Sequence, residues 1–300
     1  QQRAQRRQGA HPVAVGVGVW MMPAFVLICI FSVYPALSAL FHSFTEWDLV
    51  SSKFIWFDNF TRLFADKIFW KSCVNLIILL VTGMIFGNIA PLCLAELLHN
   101  LRSTRASNVY RFLFILPALV PGMVNMLIWT KIVFSPFSSG LVNSFLENFG
   151  VEAQSWYFEE DTALLSMILT GFPWVAGTSF LIYLAGLNNI PESVYEAIKL
   201  DGASTWVRIF YIDLPLLKSQ IKYFVMMGII GGMQSFSMQL VFTSGGPNYA
   251  TTVPGYYMYE KAFYTGEFGY AASIGFFLFV VTLIVTIINN KFMKSTEEVA

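Results

Sequence analysis

The sequence predicts an all-α, polytopic membrane protein with six transmembrane helices and a cytoplasmic helix-turn-helix loop. Of its 300 residues, 56% are hydrophobic and only 12% are charged, about half the charged share of an ordinary soluble domain. Six long segments contain no Asp, Glu, Lys or Arg. A polar stretch at 189–219, which we call the polar segment, separates the fourth apolar segment from the fifth. These observations decide the class.

Each apolar segment is a predicted membrane-crossing helix, because a span needs about 20 predominantly apolar residues. In chain order the segments are Val15–Phe41, Ser72–Ala95, Phe112–Thr130, Thr162–Asn188, Tyr223–Thr243 and Tyr270–Asn290. The third is the shortest, so a tilted or irregular helix is an alternative there. The predicted organisation is a basic tail at 1–14, a six-span domain at 15–291 and a second tail at 292–300.

Basic residues predict the orientation of the spans, since cytoplasmic loops carry an excess of Lys and Arg. With the N-terminus inside, the inner segments contain twelve: Arg3, Arg6, Arg7, Arg102, Arg105, Arg111, Lys199, Arg208, Lys218, Lys222, Lys291 and Lys294. The outer segments contain six: Lys53, Arg62, Lys67, Lys71, Lys131 and Lys261. Both termini and the polar segment are therefore expected in the cytoplasm.

The polar segment predicts two short helices. The first begins at Pro191, where a missing N–H does no harm, with Asn189 placed to cap it, and runs to about Leu200. Its apolar face suits a groove on a partner protein, with charged residues at the rim to fix register. The alternative is an interfacial helix lying on lipid, which its acidic residues disfavour.

A break separates the two predicted helices. Asp201 and Gly202 end the first helix, since glycine tolerates a positive φ. Ser204 can cap a second helix that runs toward Phe210. Pro215 is then expected to stop regular structure.

Several kinds of chemistry lack a sequence signal. No catalytic constellation is found, and no G-x-x-x-x-G-K-[ST] loop is present to cradle ATP phosphates. The 3 cysteines and 3 histidines are scattered, which disfavours a metal site. The net charge of zero gives no indication of nucleic-acid binding. Spans without ionisable residues disfavour ion coupling, so any energy source is expected to be another chain.

The polar segment also follows the pattern E-A-A-x3-G-x9-I-x-L-P, with Ile198 in place of the second Ala. The matching residues are Glu196, Ala197, Gly202, Ile212, Leu214 and Pro215. This pattern resembles the coupling loop of permeases of binding-protein-dependent ABC importers. The phrase YEAIKLDGAS is similar to the sugar-transporting branch.

Four further stretches resemble the maltose-type permease family in the family's order: LPALVPGMVNMLIW, GFPWVAGTSFLIYLAGLNNIPESVYEA, TSGGPNYATT and FGYAASIGFFLF. The TSGGP stretch is similar to the larger-subunit branch. The resemblance implies a bacterial or archaeal inner-membrane importer that works by alternating access. It implies a second, related permease subunit, two cytoplasmic ATPase subunits that bind the ATP, and an extracytoplasmic solute-binding protein. No cofactor is implied in this chain.

A sugar needs hydrogen bonds for its hydroxyls and an aromatic ring for its C–H faces. In the fifth span, positions 232, 235 and 239 share a helical face. The resemblance implies sugar contacts on the third, fourth and fifth spans, and together with these neutral side chains it gives the candidates Gly122, Asn125, Gly171, Trp174, Gly232, Gln234, Ser235 and Gln239. The alternatives are helix–helix hydrogen bonds for the polar side chains and ordinary packing for Trp174.

Two other functions remain open at this point. A permease of the same class could carry glycerol-phosphate esters or polyols, although a phosphate favours Arg or Lys in its site, and the spans have neither. A stand-alone channel or scaffold is the alternative from a different class.

Overall fold

The computed structural model describes residues 20–175 and 177–292. Within them, regular structure is helical apart from one two-stranded hairpin, which confirms the all-α class. The predicted tail at 1–14, the start of the first span before Trp20, and the second tail beyond 292 lie outside the described residues.

The chain divides into two compact units. Of the described residues, the first unit contains those up to Leu63 together with Glu260–Phe276, and the second contains those between Phe64 and Tyr259 and those from Phe277 onward. The elements up to α2 are α1 (Trp20–His42), β1 (Thr45–Trp47), β2 (Ser52–Phe54) and α2 (Asp58–Ala65). The strands pair antiparallel, with Glu46 opposite Lys53.

The remaining helices follow in chain order. They are α3 (Lys67–His99), α4 (Thr104–Ile115), α5 (Gly122–Ile128), α6 (Leu141–Glu147), α7 (Glu160–Leu169), α8 (Ser179–Asn188), α9 (Glu192–Leu200), α10 (Thr205–Arg208), α11 (Leu214–Leu216), α12 (Lys218–Gln234), α13 (Pro254–Phe263) and α14 (Phe268–Phe292). Single π-helical turns follow α5 and α10, at Trp129–Val133 and Ile209–Asp213, and another lies at Gln239–Thr243.

Helix α3 is the central element of the second unit. The Asp66 side chain caps it by accepting hydrogen bonds from the N–H groups of Ile68 and Phe69, at 2.8 and 3.2 Å. The helix packs against both α8 and α12. Its C-terminal end shares a buried apolar cluster with them, whose members are Ala95, Leu98, Phe180, Tyr183, Leu184, Leu187 and Leu217.

The described residues contain fewer continuous spans than the sequence predicts. Four stretches are long and apolar enough to cross a membrane: Trp20–His42, Lys67–His99, Lys218–Thr243 and Phe268–Lys291. The third predicted span is a bent pair, Thr104–Leu119 and Gly122–Val133, with 90° between its halves. Pro121 accounts for this bend, since it lacks the N–H that would continue the helix and has an extended ψ of 134°.

The fourth predicted span is also interrupted. Instead of one helix from Thr162 to Asn188, α7 ends at Leu169 and α8 begins at Ser179. Gly171 and Gly177 adopt φ of +89° and +117° there, conformations that a helix does not contain. The single continuous helix predicted for this fourth span is therefore wrong.

Three details of the polar segment differ from expectation. Pro191 is the residue before α9 and not its first residue, with an extended ψ of 138°. Asn189 does not cap α9, because its backbone completes α8, with its N–H 3.1 Å from the Ala185 carbonyl. Pro215 does not stop helical structure, because it lies in the first turn after a π-helical stretch, where its missing N–H is tolerated.

Candidate functional site

A cavity of about 250 Å³ lies between α3, the end of α7 and the end of α12, all in the second unit. Apolar side chains form most of its wall. Thr82, Thr170, Ser235 and Gln239 add neutral hydroxyl and amide groups, and Trp174 adds an indole. None of the lining residues is ionisable. Such a wall suits a neutral ligand that has both apolar and hydrogen-bonding surfaces.

Trp174 lies in the break between α7 and α8 and is held in one orientation. Its ring stacks on Phe86 of α3, with 4.3 Å between ring centroids and 13° between planes. Its indole N–H donates to the Ile168 carbonyl at 3.1 Å. Its own φ is +58°, a conformation that non-glycine residues rarely adopt. The ring is half-buried, so it packs against α3 and lines the cavity at the same time.

Gly232, Ser235 and Gln239 line this same cavity, although not on a continuous helix. Helix α12 ends at Gln234, and Ser235 is extended, with φ of −80° and ψ of 131°. Gln239 is buried, and its amide nitrogen is 3.9 Å from the sulfur of Met167. The single helical face expected for these positions is therefore wrong, but the break still leaves all three beside one space.

The other predicted contact residues are placed differently. Gln234 is exposed and does not line the cavity. Gly122 and Asn125 lie on α5, beyond the bend, where both are exposed and neither reaches this wall. Gly171 lies behind Trp174, where a β-carbon would be 3.8 Å from Cδ1 of the indole. Its carbonyl accepts a hydrogen bond from the Trp174 backbone N–H at 2.8 Å, and it does not itself line the cavity.

A second cavity of about 420 Å³ adjoins the first. It lies between α3 and α12, and the two cavities share Leu79, Leu80, Gly83 and Gly232. Asn88 lines the second cavity and accepts a hydrogen bond from the Tyr183 hydroxyl at 2.8 Å. The two spaces thus follow one another along α3, with Leu80 and Gly232 at their junction.

The motif residues of the polar segment are mostly at the surface. Glu196 and Ala197 are exposed on α9. Gly202 has a φ of +68°, and Ser204 accepts a hydrogen bond from the Val207 N–H at 3.4 Å, so the predicted break and cap are confirmed. The remaining motif residues, Ile212, Leu214 and Pro215, follow α10. Apolar side chains of this segment remain uncovered: Leu200, Trp206, Phe210 and Tyr211.

Comparison with known proteins identifies the class. Residues 80–297 match the family described as binding-protein-dependent transport system inner membrane component. The chain belongs to this family. This result confirms the resemblance inferred from the polar segment and places the chain in the inner membrane, in a transport system that depends on a binding protein.

Individual relatives of this transport component cover almost its whole length. It is 32% identical over 277 residues to the lactose transport system permease protein LacF of Rhizobium radiobacter, with 90% of each chain covered. It is 31% identical over 276 residues to the arabinooligosaccharides transport system permease protein AraP of Bacillus subtilis, covering 91% of this chain and 87% of the relative.

A solved structure shares the fold of this transport component. It is a chain of a bacterial alginate ABC transporter in complex with an alginate pentasaccharide-bound periplasmic protein. The TM-score is 0.81 with 22% sequence identity, and 92% of both chains is covered.

Sequence reasoning missed one set of residues in this transport component. Glu96, Arg208 and Asp213 form a buried ionic cluster between α3 and the polar segment. A signal was present, since Glu96 directly follows an apolar run and Asp213 lies between two apolar motif residues. Among the residues that the structure describes, no group of three or more His, Cys, Asp or Glu side chains is placed to hold a metal ion.

Proposed function

We propose that the chain is the permease subunit of an ATP-driven importer that carries a neutral sugar or oligosaccharide by alternating access. The observation that carries this proposal is the cavity beside Trp174, whose wall offers an aromatic ring, hydroxyls and an amide without any charge. A ring can stack on the C–H face of a sugar, and neutral polar groups can bind its hydroxyls. Relatives named for lactose and arabinooligosaccharides support this cargo class.

We assign the cargo contacts to Trp174, Ser235 and Gln239, with Gly232 leaving room between the helices. The fixed indole orientation favours binding, because a ring that is already ordered loses little conformational freedom when a ligand stacks on it. Phe86 covers one face of the indole. Phe172 packs perpendicular to the same indole, with 5.1 Å between ring centroids, so a sugar would contact the part of the ring that lines the cavity.

The alternative cargoes differ in charge. A glycerol-phosphate ester would be expected to need Arg or Lys in its site, and the cavity wall contains neither. A polyol without phosphate fits the same wall and stays an alternative cargo. A stand-alone channel or scaffold is disfavoured by membership of a binding-protein-dependent transport family.

The polar segment is proposed to dock on an ATPase subunit. Its exposed apolar side chains, Leu200 and Trp206 among them, suit a groove on a partner protein. Two cytoplasmic ATPase subunits, a second permease and an extracytoplasmic solute-binding protein would complete the importer, with both termini of this chain in the cytoplasm. ATP would then be bound and hydrolysed by the partner subunits.

A cargo panel tests this proposal. The solute-binding protein is screened for thermal stabilisation by neutral oligosaccharides, polyols and glycerol-phosphate esters, and the hits are tested for ATP-dependent uptake by the complete complex in proteoliposomes. We expect uptake of a neutral sugar. Uptake restricted to phosphorylated ligands would contradict the assignment of the cavity.

A further inference from the structure

The buried ionic cluster connects two elements that are distant in sequence. Arg208 lies at the end of α10, in the polar segment, and its guanidinium contacts three acceptors. Nε is 2.9 Å from Asp213 Oδ2, Nη1 is 2.8 Å from Asn100 Oδ1, and Nη2 is 3.2 Å from Glu96 Oε2. Glu96 belongs to α3, and Asn100 is the residue that ends it. One side chain thus holds the polar segment against the end of α3.

Tyr195 extends this connection to α9, the helix proposed to dock on the ATPase. Its hydroxyl donates to Asp213 Oδ1 at 3.1 Å, and the Arg208 guanidinium lies 5.6 Å from the centre of its ring. Burial, together with the Asp213 carboxylate, raises the pKa of Tyr195, so its hydroxyl remains a hydrogen-bond donor. An unbroken series of polar contacts therefore runs from α9 through Asp213 and Arg208 to α3.

The three charged side chains of the cluster are almost completely buried, so their stability depends on their mutual contacts. The Asp213 side chain is fully buried, and the side chains of Glu96 and Arg208 are 8% and 16% exposed. Buried charges are stable only when they are paired in good geometry, and removing one partner leaves the others uncompensated. A displacement of α9 must therefore either carry the end of α3 with it or break these contacts.

We propose that Arg208 is a positioning residue that transmits movement of α9 to α3 and so to the wall of the cavity. Ten residues of one helix separate Glu96 from Phe86, about 15 Å at a rise of about 1.5 Å per residue. Between Leu76 and Phe86, α3 supplies six of the residues that line the cavity: Leu76, Leu79, Leu80, Thr82, Gly83 and Phe86. A shift or tilt at the Glu96 end changes the position of that wall. This inference rests on the proposed docking role of the polar segment, but not on the nature of the cargo.

The test compares two conservative arginine substitutions in the complete reconstituted complex. Arg208→Lys keeps the positive charge, but a single ammonium cannot hold three separated acceptors in the guanidinium geometry. Arg105→Lys is the matched control, because Arg105 is exposed on α4. We expect Arg208→Lys to lower uptake per ATP hydrolysed by about tenfold, a change of the size that coupling between two sites commonly produces. Arg105→Lys should match the unsubstituted complex.

The readout separates transmission from stability. A defect in folding or assembly lowers uptake and hydrolysis in proportion and leaves their ratio unchanged, and that result would overturn the inference. If Arg208→Lys does not assemble with the ATPase subunits, Tyr195→Phe replaces it, since this change removes one hydroxyl and keeps the ring. A ratio in Tyr195→Phe equal to that of the unsubstituted complex would then also overturn it.

A second measurement makes the test independent of the cargo. A cysteine at Gly83, where a β-carbon meets no atom within 4 Å, reports on the cavity wall in a background without native cysteines. Its labelling rate should change when ATP binds to the complex and should lose that change in Arg208→Lys. A preserved ATP response in Arg208→Lys would contradict the role of Arg208. Failure to transport any sugar would affect only the proposed cargo.

Discussion

Substitution of Gly232 by alanine should narrow the junction between the two cavities. Gly232 lies on α12 against Leu80 of α3, and a β-carbon there would overlap Leu80 Cδ1. Because that atom is the end of a flexible side chain, Leu80 can turn away instead of forcing the helices apart. Leu80 lines both cavities, so a change in its rotamer alters the junction between them, which borders the cavity proposed for the cargo.

The expected effect falls on transport more than on stability. Moving one leucine out of its preferred rotamer costs about 1 kcal/mol, which a large complex tolerates. One misplaced methyl group in a binding pocket is worth about 1–3 kcal/mol, or about 10-fold to 200-fold. We therefore expect Gly232→Ala to lower uptake per assembled complex by about tenfold or more at limiting substrate, with assembly unchanged.

The neighbouring glycine provides the control for this experiment. A β-carbon at Gly231 meets no atom within 4 Å, so Gly231→Ala should leave uptake unaffected. Adding Leu80→Ala to Gly232→Ala should restore part of the uptake, since it removes the overlapping atoms. Uptake is measured with the complex in proteoliposomes at matched protein content. Equal uptake in the two single variants would refute the assignment of the junction.

Three further predictions test the indole, the break and the orientation. Trp174→Ala should lower uptake about tenfold without lowering assembly or basal ATP hydrolysis. Trp56→Ala, which removes an exposed indole, should leave uptake unchanged. A proportional loss of uptake, assembly and basal ATP hydrolysis in Trp174→Ala would mean that Trp174 only packs. Gly202→Val places a branched side chain at a φ of +68°, which should abolish substrate stimulation of ATP hydrolysis because the second helix of the polar segment is displaced, and intact stimulation would disprove this. A cysteine at Ser204 should resist impermeant thiol reagents added outside, and one at Ser155 should react; the reverse pattern would overturn the predicted orientation.

Features of the backbone that depend on neighbouring residues could be predicted from the sequence. Gly202 and Ser204 were correctly placed at the break and cap of the polar segment, because a positive φ and a side-chain cap depend on residues next to one another. The same reasoning was wrong for Asn189. The backbone N–H of Asn189 completes the preceding helix, α8. Because only residues 189–191 connect α8 to α9, the same residue lies close to the end of one helix and the start of the next.

The cavity was only partly predictable. Trp174, Ser235 and Gln239 were chosen from their chemistry and from the family resemblance, and they do line one space. The breaks that bring them together, between α7 and α8 and after Gln234, were not predicted. The apolar composition of a segment does not show whether its helix continues or stops. Asn125 was chosen on the same grounds but does not line the cavity, since it lies on α5, beyond a bend of 90° in the third predicted span.

The buried charges could not be paired from the sequence. Glu96 and Arg208 are more than one hundred residues apart, and nothing local to either indicates the other. Their contact depends on the packing of α3 against the helices that flank the polar segment. Buried charges require partners, but only the fold shows which partners they have.

Protection of a cysteine at Ser235 by cargo tests the central claim most directly. Ser235→Cys lies in the cavity wall, and Ser237→Cys, two residues later, is exposed and outside it. In a complex without native cysteines, a transported neutral sugar should slow labelling of Ser235→Cys and leave Ser237→Cys unaffected. Equal labelling of Ser235→Cys with and without the transported sugar would contradict the assignment of this cavity as the cargo site.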